Sequence, residues 1–153
     1  MRQAIARAPA TAWTMGLISL IPFYIFAGLY CYGPHPMRGQ AFLGLLGWST
    51  AMLSYLGGVR AGLEIDSHAR PRLWSVALAM LSPVAALGLL FGAVTGALSQ
   101  VQQISGFMVA FLLMWIWDSR AVDGPAWRPR YRTFITAGAA VALAFALEQA
   151  MSL

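Results

Sequence analysis

The chain has 153 residues, 59% of them hydrophobic and 10% charged, with a mean hydropathy of +0.68. A soluble domain carries about 25% charged residues, so most of this chain must face lipid or other apolar helices. The net charge of +5 comes from arginine alone, and one cysteine excludes an internal disulfide and a thiolate metal cluster.

Five apolar stretches, at about 12–32, 40–63, 73–96, 100–117 and 133–153, are each long enough to cross a bilayer. A helix rises ~1.5 Å per residue against a hydrocarbon core of ~30 Å, so roughly 20 apolar residues suffice. The expected fold is all-α: a polytopic bundle of five transmembrane helices in one domain, residues 1–153. Residues 1–11 are basic and acid-free, but the apolar run that follows is too long for a signal core and lacks a small-x-small cleavage site, so it reads as a first transmembrane helix.

Orientation follows from arginine. With the N-terminus in the cytoplasm, Arg2, Arg7, Arg60, Arg70, Arg72, Arg120, Arg128, Arg130 and Arg132 all lie inside, and only Arg38 lies outside. This bias predicts a cytoplasmic N-terminus and a periplasmic C-terminus. The high isoelectric point does not point to nucleic acid. The charges sit in short segments at a membrane surface, where each is worth about 1 kcal/mol of attraction to anionic lipid.

The first helix holds Pro22 and ends in the turn-rich run Tyr30 to Pro36. Pro22, and Pro83 in the third helix, remove backbone donors from the carbonyls of Ile18 and Ala79, so kinks are expected, with Ser19 and Ser82 close enough to compensate. The second helix carries small residues at four-residue spacing, Thr50, Ser54, Gly58 and Gly62, with Gly57 beside them. The third carries Gly88, Gly92 and Gly96. Glycine costs a helix ~1 kcal/mol against alanine, and in lipid such stripes let backbones approach closely. They read as helix-packing positions, inside the bundle or against another membrane protein.

Arg60 and Glu64 lie one turn apart at the inner end of the second helix, where Arg60 is expected to snorkel to headgroups or pair with Glu64. The segment 118–132 is expected as the longest inner loop, and its Trp127, Arg128, Arg130 and Arg132 join Arg60 and Glu64 as a candidate site for an anionic headgroup. Trp13, Trp74, Trp115, Trp117 and Trp127 fall near the inner interface, and Tyr30 and Tyr32 near the outer one, as an aromatic belt would.

No chemistry is signalled. His35 and His68 fall on opposite sides, and no His-x-x-x-His, paired-cysteine or phosphate-loop motif is present. No ionisable residue lies near the middle of a helix, which argues against proton-coupled transport. Asp66, His68, Asp118 and Ser119 share the inner side but read as solvated loop residues. No catalytic residue, metal or cofactor is expected.

The run Leu53-Ser-Tyr-Leu-Gly-Gly-Val-Arg-Ala-Gly62 resembles the L-S-F-L-G-G-x-x-x-G signature of bacterial and mitochondrial proteins similar to transmembrane protein 69. Leu20 to Phe23 looks like that family's first-helix motif, and Pro125 to Trp127 with Arg130, Arg132 and Thr136 looks like its entry to the last helix. Arg60-Ala61 stands where the family pattern has a His-Trp pair. The resemblance implies a small multi-spanning protein of a bacterial inner membrane and brings no reaction, substrate or cofactor.

The leading expectation is a non-enzymatic accessory, assembly or scaffold subunit acting through helix–helix contacts. The alternative is a binder or carrier of a lipid or small amphipathic molecule. Expected partners are anionic headgroups at the cytoplasmic face and a membrane protein or second copy of the chain.

Overall fold

The computed structural model describes residues 9–67, 72–120 and 127–152. They form five helices: α1 (Ala10–Tyr32), α2 (His35–Ser67), α3 (Leu73–Val94), α4 (Gln100–Ser119) and α5 (Arg128–Ser152). All five are long and apolar enough to cross a membrane, which makes this a multi-pass membrane protein in its architecture.

The α2 helix is longer than its apolar stretch, 33 residues from His35 to Ser67. Backbone hydrogen bonding continues past the apolar segment at both ends, and Pro36 sits in the first turn, where its missing N–H costs nothing. The α5 helix also starts early. Arg128, Arg130 and Arg132 belong to its first turns, not to the loop expected over 118–132. Pro129 is likewise tolerated at that helix start.

Side by side, α1, α2, α4 and α5 close a ring in that order, and α3 packs outside against α2 and α4. No close backbone approach joins α2 to α5, so a gap separates them on the α1 side. The core runs through this ring, with Phe23, Leu45, Leu46, Leu53, Ile104, Phe107 and Leu143 fully buried. Large apolar side chains such as Met15, Ile21, Leu81, Phe91 and Phe145 point outward, as lipid-facing positions do.

The α3–α4 hairpin shows how local sequence sets a turn. Gly96 adopts φ +69°, the left-handed region that costs glycine nothing. The Leu98 N–H then reaches back to the Gly92 carbonyl at 3.2 Å. Ser99 opens α4 with a reciprocal capping box to Gln102.

The glycines divide by what a side chain would meet. A Cβ at Gly57 would lie 2.6 Å from the Ala79 carbonyl oxygen, with Pro83 Cδ at 3.2 Å. Pro83 is the residue that deprives Ala79 of its helical donor, so Gly57 seats α2 directly on the proline-freed carbonyl of α3. Ser82 turns elsewhere and donates to the Leu53 carbonyl at 2.9 Å. Ser19 donates to the Gly16 carbonyl at 2.7 Å, so neither serine serves the freed carbonyl next to it.

Thr50 is buried, caps the Leu46 carbonyl and faces Ala86 of α3. Ser54 is half-buried. Gly92 fits under Leu98 of the hairpin turn. Gly58, Gly62, Gly88 and Gly96 have nothing within 4 Å of a built Cβ. Close approaches that the spacing did not single out occur at Gly16 against Tyr131 and Ile135, Gly44 against Phe26, Gly106 against Leu89, and Gly138 against Leu20.

Candidate functional site

The antiparallel arrangement gathers the start of α1, the end of α2 and the start of α5 at one arginine-rich end. There the gap between α2 and α5 forms a groove of about 700 Å³. That is within the range of cavities that take small amphipathic ligands. Its walls are Met15, Ile18 and Pro22 of α1, Met52, Leu56 and Val59 of α2, and Tyr131 and Ile135 of α5. Met15, Ile18 and Tyr55 on the rim are exposed, so the groove opens sideways from the bundle.

Trp48 holds the α1–α2 wall. Its indole N–H donates to the Ser19 carbonyl at 3.0 Å. On the opposite wall, Tyr131 makes T-shaped contacts with Trp13 and Trp127 at 5.6 and 5.9 Å between ring centroids. Trp13 and Trp127 are thus ordered by packing as well as by their amphipathic character, whereas Trp74 is 83% exposed. Tyr30 also departs from the belt. It is buried and donates to Gln100 Oε1 at 2.6 Å, while Tyr32 is exposed.

Arg128 and Arg132 line the same groove. They are four residues apart, so they project from one face of α5. Both reach the carboxylate of Asp118, the penultimate residue of α4. Arg128 Nη2 donates to Oδ1 at 3.0 Å, and Arg132 Nε donates to Oδ2. All three side chains are largely buried. One carboxylate is thus shared by two guanidinium groups beside the groove. The cations also sit at the C-terminus of α4, where the helix dipole favours them.

Arg130 points away and is exposed. Asp118, expected as a solvated loop residue, is instead the group that fixes the arginine pair. The sequence signal was available: an acid at the end of one helix and two arginines at helical spacing at the start of the next.

Arg60 does not snorkel. It is 4% exposed, and its guanidinium lies 5.4 Å over the ring of Trp117 of α4. Nor does it pair with Glu64. The Glu64 carboxylate accepts instead from the Arg72 backbone N–H and Nε, both at 3.1 Å. The Arg60 Nε and Nη1 atoms have no hydrogen-bond partner among the described residues. A buried, unpaired guanidinium is costly in any bundle interior.

Of the other polar residues considered, Asp66 is exposed at the end of α2, Ser119 bonds its own helix, and His68 lies outside the described residues. Among the described residues no three His, Cys, Asp or Glu side chains cluster as metal ligands. A second, smaller cavity of about 300 Å³ lies between α3 and α4, lined almost wholly by apolar residues with Trp117 at one edge.

A family model described as a protein of unknown function, DUF3429, matches residues 8–148. No curated protein and no solved structure matches the chain.

Proposed function

The chain belongs to the DUF3429 family, which by itself specifies no chemistry, and on that footing we propose that it binds an anionic amphiphile without transforming it. The observation that carries this reading is the conjunction of an apolar, laterally open groove with Arg128 and Arg132 at its polar end. An acyl or prenyl chain would lie along Met15, Ile18, Met52 and Ile135, and a headgroup would meet the arginines. The aromatic residues Tyr55, Trp127 and Tyr131 suit the boundary between the two.

The arginine bias supports a cytoplasmic position for this end and a bacterial inner membrane as the host. The likeness of Leu53–Gly62 to proteins similar to transmembrane protein 69 is consistent with such a membrane. The test is native mass spectrometry of the protein extracted in lipid-retaining discs. An enriched anionic lipid that is lost in Arg132→Gln and in the groove-filling Met52→Trp is expected. Uniform lipid adducts, unchanged by either substitution, would contradict the reading.

A second reading is an accessory or scaffold subunit, and Gly58 and Gly62 favour it. They are exposed, one turn apart, with open space above both. This face of α2 suits a close-packed helix of another membrane protein or a second copy of the chain. A stoichiometric protein partner lost in Gly58→Leu would support it, and a lone chain in both samples would count against it.

A further inference from the structure

We infer that Trp48 is the stop that sets chain length in the groove, so that the site selects anionic glycerophospholipids whose acyl chain ends at the depth of Trp48. The inference rests on the groove reading above and adds its specificity for the chain.

Depth comes first. The lining runs from Thr11 to Pro22 on α1 and from Val59 back to Trp48 on α2, eleven steps of ~1.5 Å each, which makes the groove roughly 16 Å long. One leaflet of a ~30 Å hydrocarbon core is about 15 Å deep. The groove therefore spans one leaflet, with Arg128 toward one end and Trp48 and Pro22 at the other. An extended chain advances roughly 1.2 Å per bond, three bonds to an extended residue, so ~16 Å holds about 13 bonds, the length of a myristoyl chain.

Beyond Trp48 the bundle is shut. One turn further on, Phe26 of α1 covers Gly44 of α2, where a Cβ would lie 2.6 Å from the ring. On the α5 side, Leu20 packs on Gly138, and the Tyr24 hydroxyl donates to the Gly138 carbonyl at 3.1 Å. Trp48 is also out of place as a membrane anchor. The other tryptophans lie toward the arginine-rich end, whereas Trp48 sits well inside α2, away from the headgroup level that indoles favour. Its N–H is met instead by the Ser19 carbonyl of α1 at 3.0 Å, which pins the ring at the groove's end.

A fixed ring there selects by packing. Lipid tails are as apolar as the groove, so a chain gains little merely by leaving one for the other. A chain that ends short leaves a void beside the indole and forfeits its contacts. A chain that is too long must bend out through the lateral opening.

The probes are dilauroyl, dimyristoyl, dipalmitoyl and distearoyl phosphatidylglycerol with the matching phosphatidylcholines, competed in equimolar mixtures on the protein in detergent and read by native mass spectrometry. In the wild type, binding of dimyristoyl phosphatidylglycerol is expected to exceed that of the distearoyl lipid by about threefold or more. Trp48→Ala should move the optimum to a longer chain, and Trp48→Leu should move it the same way while keeping an apolar residue in place. Trp74→Ala, at an exposed ring outside the groove, should leave it unchanged. Equal binding of all chain lengths by the wild type overturns the inference whether or not the variants fold, and so does an optimum that stays put in both Trp48 variants. If phosphatidylglycerol then still exceeds phosphatidylcholine and is lost in Arg132→Gln, the groove reading stands without the stop. If phosphatidylglycerol never exceeds phosphatidylcholine of the same chains, the groove reading itself fails.

Discussion

Arg132 of α5 donates its Nε–H to Asp118 Oδ2 of α4, and this buried pair sets the geometry of the arginine-rich end. The second carboxylate oxygen holds Arg128, so a single acid positions both groove cations. Without it, two guanidinium groups on adjacent turns would repel each other and turn outward.

Asp118→Asn is therefore expected to destabilise the bundle by about 3 kcal/mol, the scale for breaking a buried pair by losing one partner. The double variant Asp118→Asn/Arg132→Met should recover part of that loss, since it removes the stranded charge as well. Thermal unfolding in detergent of the two single variants and the double variant measures the coupling. Strictly additive losses would show that the pair does not act as a unit.

Gly57 and Gly58 are neighbours in sequence with opposite surroundings. Gly57→Ala places a methyl group 2.6 Å from the Ala79 carbonyl oxygen and must push α2 from α3. A loss of about 1–3 kcal/mol is expected, as for other overpacked contacts. Gly58→Ala meets open space and should be neutral or gain up to ~1 kcal/mol in helix propensity. The same unfolding assay compares them, and equal effects would contradict the packing described for α2 and α3.

Trp48→Phe keeps the ring volume roughly but deletes the N–H that donates to Ser19. About 1 kcal/mol of stability should be lost, the usual net value of one such bond. Because Trp48 holds the wall between α1 and α2, lipid retained by the purified protein should fall as well. Unchanged retention alongside reduced stability would show that this wall does not shape the groove.

Tyr30→Phe tests the opposite end of the bundle. The lost hydroxyl releases Gln100 at the start of α4, and between membrane helices such a bond is worth about 0.6 kcal/mol on average. Lipid retention should not change, since Tyr30 is remote from the groove. A coupled fall in retention would mean that the two ends are not independent.

The membrane class and the five spans were legible because apolar runs of about 20 residues have few other uses. The packing faces were not. Helices that meet lipid on one side and protein on the other are apolar all round, so no polar stripe marks which face turns inward. Four-residue spacing selected Gly58 and Gly62, which face outward, and passed over Gly16, Gly44, Gly106 and Gly138, which seat large side chains of neighbouring helices. A glycine's usefulness depends on what lies opposite it, and that is tertiary information.

The candidate site was half legible. Arg128, Arg132 and Trp127 were picked out by charge and ring type, but as parts of a loop. The start of α5 at Arg128 was masked by three arginines and a proline, all poor in apolar signal. Asp118 groups with the solvated residues as long as Arg128 and Arg132 count as loop, because the acid and the two arginines become a helix-end pattern only once α5 begins at Arg128. Position near the interface and one-turn spacing leave Arg60 either to snorkel or to pair with Glu64, whereas Arg72 takes that acid and Trp117 takes the arginine.

The most direct test of the account is photoaffinity labelling. A phospholipid carrying a photoactivatable group midway along one chain would be incorporated into discs, and the labelled residues mapped by peptide mass spectrometry. Labels concentrated on Met15, Ile18, Met52 and Ile135, competed away by unlabelled anionic lipid, are predicted. Labels spread evenly over the outward faces, with Leu81 and Phe91 of α3 marked as heavily as the groove, would contradict a dedicated amphiphile site between α1, α2 and α5.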